Sequence, residues 1–392
     1  MKHLLILALF LLFSCGQNTD NALNNSPLLK DVLTLELSFG DNESLSDYLL
    51  AKPESFCVTS NGNIAVMDEY KVKVFDSNGM PQKILGRKGQ GPGELSFMYS
   101  VTCSNNDILS VVGDRIHIYN SDYTLITSNN YVAHKPYKVL LDSLKYRESL
   151  MHKILSPDLN LRTYIMRVND TSQDDSQKRL REVLICETDK TTKIITDYLN
   201  AALVIFDKGQ AFFPFLGELH YAELPEGRLV ITHPAFDIAP EGSQEYYMLR
   251  IVDLKEKSKQ IISHPFKRMP ITFDDYSMYR PLEQSVESQG LMKMIENELE
   301  KYPGKVPVQG IITDNEYIFV FTYEAGDNAT FLTDVFHGGR KEYICSVYLP
   351  FKRSYLPPII RNGYAYYMND FRSSGDFPVI KKYRIDPAVY GK

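Results

Sequence analysis

The sequence has little of several features that define whole classes of protein. Its 392 residues include no Trp, only 5 Cys, 22 Gly and 20 Pro, and fewer basic residues (43) than acidic ones (49). Gly and Pro are too few for a fibrous protein. The formal charge of −6 argues against broad nucleic-acid binding, which needs a basic face to neutralise phosphates. With 44% hydrophobic and 23% charged residues, the composition predicts a folded chain with a buried core and no nucleic-acid partner.

Motifs for metal binding or nucleophilic catalysis are also missing from the sequence. It contains no C-x-x-C, no Cys/His cluster at zinc spacing, no H-E-x-x-H, no G-x-S-x-G and no EF-hand loop. The acidic loop Asp170–Asp175 lacks the alternating spacing and the anchoring Glu of a calcium loop. We therefore predict no metal site, no cofactor and no catalytic residue.

The first 14 residues have the pattern of a secretory signal. A short basic start at Lys2 and His3 precedes the unbroken apolar run Leu4–Phe13. This run of ten residues is too short for a membrane-spanning helix, which needs about 20, but it fits the apolar region of a signal peptide. No stretch of eighteen apolar residues occurs later, so we expect no other membrane span.

The residues that close this apolar run, Leu12-Phe13-Ser14-Cys15-Gly16, resemble a bacterial lipobox, although Phe13 is bulkier than the pattern prefers. The resemblance implies that residues 1–14 are a lipoprotein signal peptide and that Cys15 is lipidated. An ordinary secretory signal with an incidental Cys is the alternative. The polar, Asn-rich segment that follows makes 15–27 a flexible tether. The expected location is the outer membrane, facing the periplasm or the cell surface.

Four further cysteines remain after residue 15, namely Cys57, Cys103, Cys186 and Cys345. An exported protein can form disulfides. Scattered cysteines in a large domain can equally be small buried hydrophobic residues. The sequence leaves the pairing of these four open.

An internal repeat carries the strongest fold signal. Phe56–Gly79 aligns without a gap with Ser100–Tyr123, at an offset of 44 residues over 24 positions. Ser60-Asn61 matches Ser104-Asn105, and Phe75-Asp76-Ser77 matches Tyr119-Asn120-Ser121. Each copy contains short strands with a period of two, separated by polar turns every eight to twelve residues. Four strands in a repeat of about 40–50 residues are typical of a propeller blade.

The third strand of the repeat alternates strictly. Val72 and Val74 are expected to face inward, and Lys71 and Lys73 outward. His117 aligns with Lys73, so we expect it to be solvated as well.

The rest of the chain continues the pattern of short strands and polar turns to its end, with one exception. The strand Leu33–Phe39 is a candidate to close the ring by joining the last blade. Residues 274–302 instead carry apolar residues at helical spacing, which predicts an amphipathic helix inserted between blades. This insertion could be a lid or a partner-docking element. We favour ordinary packing against a blade edge, because an amphipathic stripe normally faces a core.

The repeat resembles those of the NHL and TolB-like six-bladed β-propellers. The linker Gly86–Leu95 (GRKGQGPGEL) is similar to a G-x-x-G-x-G-P-G-E-[FL] segment of six-bladed propeller lipoproteins common in Bacteroidetes. The resemblance implies an all-β fold over 28–392, with six four-stranded antiparallel blades. It implies little about activity.

The same linker contains the candidate site residues. Backbone amides of a Gly-rich loop can hold a phosphate, with Arg87 and Lys88 as counter-charges. However, the linker matches neither G-x-x-x-x-G-K-[ST] nor G-x-G-x-x-G, the two Gly-rich phosphate-binding motifs. It also precedes a strand rather than a helix, so we favour a structural role. Arg87, Lys88 and Tyr70, at a nearby turn, are the predicted ligand contacts.

Function is predicted from the fold alone. We expect a binding module at the cell envelope rather than an enzyme, with an envelope protein, a peptide or a glycan as its partner. A metal-dependent hydrolase or lactonase at the channel mouth is the first alternative, and it requires three or more convergent carboxylate or Asn oxygens. A structural partner in an envelope assembly is the second, and a large exposed apolar patch would favour it.

Overall fold

The computed structural model describes most of residues 27–392. Within that range it leaves out 92, 105, 114, 131–136, 159–160, 176–178, 189–190, 207–208, 255–257, 278–285, 328–329, 351–355 and 370–376. The predicted signal peptide, Cys15 and the tether up to residue 26 lie outside the described residues. In the part that is described, no helix has the length and apolar character needed to cross a membrane.

Six antiparallel sheets of the same build follow one another along the chain, and together they form a six-bladed β-propeller. Two N-terminal strands come first, β1 (Leu28–Leu29) and β2 (Leu33–Phe39). The strands of blades 1 and 2 are β3 (Pro53–Val58), β4 (Ile64–Asp68), β5 (Lys71–Phe75), β6 (Pro81–Leu85), β7 (Met98–Cys103), β8 (Leu109–Gly113), β9 (Arg115–Tyr119) and β10 (Leu125–Asn130). These two blades are the two copies of the sequence repeat.

Blades 3 and 4 are separated by a β-hairpin. Blade 3 consists of β11 (Tyr146–Asp158), β12 (Leu161–Asp170), β13 (Leu180–Thr188) and β14 (Thr192–Leu199). The hairpin is β15 (Leu203–Phe206) and β16 (Gly209–Phe212). Blade 4 consists of β17 (His220–Leu224), β18 (Arg228–Thr232), β19 (Ile238–Glu241), β20 (Gln244–Asp253) and β21 (Lys259–Phe266). On the same side of the long strand β20, β18 pairs with its second half and β19 with its first half.

The last two blades use both ends of the chain. Blade 5 consists of β22 (Val308–Asp314), β23 (Tyr317–Ala325), β24 (Thr330–His337) and β25 (Glu342–Pro350), with β1 added in parallel to β25. Blade 6 consists of β26 (Ile359–Arg361), β27 (Tyr364–Met368) and β28 (Ile380–Ile385), and β2 completes it. The register runs from Leu33 opposite Ile385 to Phe39 opposite Ile380. This confirms the fold class and places the expected closing strand in the last blade.

The described helices are short or lie in connections between blades. The α-helices are α1 (Lys138–Ser143), α2 (Phe273–Tyr276) and α3 (Val286–Leu299), and the 3-10 turns are Glu43–Leu45, Pro214–Leu216, Pro225–Gly227 and Pro387–Tyr390. Ile295 and Leu299 of α3 pack against Val204 of the hairpin and against Phe213 and Phe215. The insertion therefore packs on a second insertion, the β15–β16 hairpin, and the two share a small core of their own.

The main core lies between blades rather than inside one layer. The described residues form a separate cluster of buried apolar side chains at each of the six boundaries between adjacent blades. In β4, Ala65 and Met67 pack toward blade 2, whereas Ile64 and Val66 pack toward blade 6. Both faces of each sheet are therefore buried.

Burial on both faces corrects two predictions about polar side chains. Lys73 is 5% exposed, and its ammonium lies 2.6 Å from the carboxylate of Asp68, which is fully buried. Asp68 also accepts hydrogen bonds from the backbone amides of Ala51 and Lys52. His117 is 1% exposed and pairs across the strands with Val111, whose side chain packs between blades 1 and 2. The prediction that Lys73 and His117 face solvent was wrong, because each face of a blade packs against a neighbouring blade and neither face is open to water.

Two kinds of connection fix neighbouring blades to each other. Cys57 in β3 and Cys103 in β7 form a disulfide between blades 1 and 2, whereas Cys186 and Cys345 are buried free thiols. The short turns that follow the innermost strands are also joined: Ser60 donates to the Asp107 carboxylate, and Asn362 donates to the Ser60 carbonyl. We call this side of the propeller the turn face, and the opposite side, which carries connections between blades such as 86–97, the loop face.

Candidate functional site

The central channel is a wide concave feature that the described residues define. It has a volume of about 790 Å³ and is lined by β3, β7, β17, β22, β26 and residues just before them. Side chains along most of β11, in blade 3, lie outside the described residues. Toward the loop face its lining includes Glu54, Tyr99 and Glu218, and toward the turn face Glu223 and Arg361. The described lining is therefore mixed, with more acidic than basic groups.

One part of the channel wall contains a buried polar network between blades 3 and 4. Arg167 donates to Glu218 at 2.7 Å and lies 3.6 Å from the Glu182 carboxylate. Glu182 also accepts from the Leu219 amide at 3.0 Å and lies 3.4 Å from the Nε2 atom of His233. Burial opposes ionisation of Glu182, but His233, the Leu219 amide and Arg167 outweigh it and lower the pKa of the carboxyl group. A charged, hydrogen-bonded wall thus supports this side of the channel.

His220 belongs to the same wall. Burial is the main cause that lowers its pKa to about 4, with a smaller effect of the same sign from His233, and Glu182 opposes the shift. His220 and His233 therefore both lie near the Glu182 carboxylate. At neutral pH the His220 imidazole is uncharged.

The described parts of the chain contain no group of three or more His, Cys, Asp or Glu side chains placed to hold a metal ion. A set made only of convergent carboxylates, one form of what the lactonase alternative requires, is thus not found among them.

The structure brings the predicted contact residues together on the loop face. The Lys88 ammonium lies 4.7 Å from the centre of the Tyr70 ring. Arg87 donates to Glu94 at 2.8 Å, and its side chain is 79% exposed. Tyr70 is 38% exposed. All three therefore sit at the surface beside the connection between blades 1 and 2, and their role in binding stays a prediction.

The carboxylate of Glu94 is hydrogen-bonded within the Gly-rich connection to which it belongs. The Gly91 amide donates to Glu94 at 2.8 Å, and a Cβ atom on Gly89 would lie 2.1 Å from the same carboxylate oxygen. The hydrogen bond from Gly91, followed by that from Arg87, lowers the pKa of Glu94. Since Glu94 already accepts from the Gly91 amide and the Arg87 guanidinium, donors that a phosphate would use, the geometry favours the structural interpretation of this loop.

Two exposed aromatic residues at the channel mouth were missed by the sequence analysis. Phe97 and Tyr99 are 55% and 57% exposed, and their rings meet edge to face with centres 4.7 Å apart. Tyr99 also lines the channel, and Met98 between them is buried. Alternation around a buried residue directly after the Gly-rich linker is the signal that could have identified this pair.

No family model matches this sequence, and no curated protein matches it. Among solved structures, a chain from the crystal structure of a mitotic checkpoint complex is similar at 8% identity and a TM-score of 0.43, over 90% of this chain and 92% of that one. A gluconolactonase from Xanthomonas campestris is similar at 8% identity and a TM-score of 0.41, over 86% of each chain. With TM-scores below 0.5, neither similarity supports a conclusion about this chain. The class that the strands define is the six-bladed β-propeller.

Stability should fall in mild acid because of His220. Its pKa is about 4 in the folded state against 6.5 for an unshifted His, so between these values the unfolded chain binds the proton and the folded chain does not. The free energy of unfolding should therefore decrease as the pH falls from about 6.5 toward 4. His220→Gln should reduce this slope. Urea unfolding followed by circular dichroism at several pH values between 7 and 4 measures it, and an identical slope in both proteins would contradict the assignment.

Proposed function

We propose that this chain is an exported, lipid-anchored β-propeller that acts as a binding module at the cell envelope. Its binding surface is the loop face around blades 1 and 2, together with the adjoining channel mouth. The observation that carries the proposal is the exposed pair Phe97 and Tyr99 at that mouth. Tyr70, Lys88 and Arg87 lie on the same face. The partner is an envelope protein, a peptide or a glycan.

The residue types on this surface suit recognition. Aromatic and Arg side chains are enriched at protein interfaces and supply most of the binding energy there. Phe97 and Tyr99 each leave more than half of their surface in water, so a partner that covers them gains apolar burial at about 25 cal/mol per Å². Their edge-to-face contact holds both rings in place before a partner arrives, which reduces the ordering cost of binding.

The channel offers a second part of the binding surface. Its volume of about 790 Å³ lies within the range of about 300–1,000 Å³ that is usual for ligand sites. Because Tyr99 lines this cavity and also belongs to the exposed pair, a partner bound on the loop face can reach into the channel. This continuity supports a single site rather than two.

Export is supported by cysteine chemistry as well as by the N-terminal pattern. The disulfide between Cys57 and Cys103 belongs to an oxidising compartment, since thiols in the cytosol are kept reduced. We propose an outer-membrane location, facing the periplasm or the cell surface, with Cys15 carrying the lipid.

Photocrosslinking tests the binding surface. p-Benzoylphenylalanine in place of Tyr99 should give a crosslinked adduct in cells that naturally make this protein. The same residue in place of Ile261 should not, although Ile261 on β21 is equally exposed (59% against 57%). Arg87→Ala should lower the adduct yield at least threefold and leave the melting temperature unchanged, because an exposed ion pair contributes little to stability.

Mass spectrometry of the adduct identifies the partner as protein, peptide or glycan. Equal adduct from both positions, or none from position 99, would contradict the proposed surface. A lower melting temperature in Arg87→Ala with an undiminished yield would leave the 86–97 connection a purely structural role.

Membrane attachment should depend on Cys15. Cys15→Ser should move the chain from the detergent phase to the aqueous phase in Triton X-114 partitioning and abolish labelling by an alkyne fatty acid, because lipidation requires the thiol. Asn21→Ala, in the same tether, is the matched control and should partition and label as the original chain does. Labelling that persists in Cys15→Ser would show that this residue is not the anchor.

A further inference from the structure

A second cavity lies between blades 4 and 5 and shares no lining residue with the central channel. Its volume is about 230 Å³. Strand β21 forms one wall and β23, β24 and β25 form the other. Met269 and Val306, on the segments that lead into and out of the insertion, border it, as does Leu28 of β1. The cavity is therefore built by four separate parts of the chain.

A buried carboxylate forms part of the lining of this cavity. Asp334 is 4% exposed, and its two oxygens accept hydrogen bonds from the hydroxyl groups of Tyr247 and Ser346, each at 2.7 Å. Ser346 is in turn 2.8 Å from the Tyr343 hydroxyl. These hydroxyl groups orient the carboxylate, but they carry no positive charge to balance it.

The nearest basic group is the imidazole of His264, with Nε2 at 3.8 Å from Asp334. Burial lowers the pKa of His264 despite the opposing effect of Asp334, so the ring is neutral at pH 7. Among the described residues, no Lys or Arg forms an ion pair with Asp334. Nearby Arg268 is paired with Glu245 and nearby Lys305 with Asp275, each at 2.7 Å.

The remaining walls are mainly aromatic and apolar. Rings of Phe266, Tyr323, Tyr343 and Tyr348 line the cavity. A second carboxylate, Glu324, also lines it and accepts from the Tyr348 hydroxyl at 3.2 Å. Lys267 is exposed at the edge. Arg268 and Lys305 lie over the Phe266 and Tyr323 rings, and His264 stacks on Tyr343. The two carboxylates therefore favour a positively charged ligand, and the apolar and aromatic walls suit its carbon atoms.

We propose that this cavity binds a small organic cation, an amine or a quaternary ammonium compound. Calcium fits the lining less well, because it takes six to eight oxygen ligands and both Asp334 oxygens are already engaged by hydroxyl groups. An organic cation needs only the buried negative charge and apolar walls around its carbon atoms. The volume is below that of most drug-sized sites, which start at about 300 Å³, so the ligand is small.

Isothermal titration calorimetry at pH 7.5 tests the site with choline chloride and with n-butylammonium chloride. At least one of them should bind, and 3,3-dimethylbutan-1-ol, the uncharged carbon isostere of choline, should bind at least tenfold more weakly. Asp334→Asn keeps the shape of the side chain and should weaken binding of the cation at least tenfold. Glu324→Gln, which removes the less buried of the two carboxylates, should weaken it at least threefold.

Glu342→Gln is the matched control, because Glu342 lies on the same blade in an exposed pair with Arg340 and should leave the affinity unchanged. Arg87→Ala should also leave it unchanged, which separates this cavity from the proposed loop-face site. The proposal is overturned if folded wild-type protein binds neither cation, if choline and its isostere bind equally, if Glu324→Gln retains full affinity, or if calcium chloride binds in place of the cations.

Discussion

The pairing of β2 with β28 is the interaction on which the rest of the molecule depends. Each blade buries apolar side chains on both faces, so a boundary between blades is complete only when the ring is closed. Strand β2 supplies the outermost strand of blade 6, from Leu33 opposite Ile385 to Phe39 opposite Ile380, and thereby joins the two ends of the chain. In the same region β1 adds to β25 of blade 5. Closure removes the free sheet edges that an open ring would leave at its ends.

Closure and two-sided burial also decide where polar groups can lie. A charged side chain in a central strand must find a partner inside a boundary, as Lys73 does with Asp68 and Arg167 does with Glu182 and Glu218. Among the described residues, side chains that are open to a ligand lie outside these boundaries, for example in the channel and on the loop face. Of the two proposed sites, the exposed aromatic pair stands at the channel mouth, and Asp334 lies at a gap between blades.

The sequence was sufficient to predict the fold because local patterns repeat: strand alternation, turn chemistry and the gapless repeat all describe one blade, and a propeller multiplies it. It also predicted the loop that brings Lys88 to Tyr70. It could not predict which side of a strand meets a neighbouring blade, so His117 and Lys73 were placed in solvent. The cavity around Asp334 was beyond prediction, because it forms only where Tyr247 and His264 of blade 4 pack against Asp334 and Ser346 of blade 5.

Equilibrium urea unfolding of two truncated chains tests ring closure most directly. A chain that begins at Pro27 keeps β1 and β2 and should unfold in one cooperative transition. A chain that begins at Gly40 lacks both strands and should unfold at a lower urea concentration, with a broader transition, because blade 6 then has an open edge and loses Phe39 from its boundary with blade 1. Equal midpoints and equal slopes in the two chains would contradict the account.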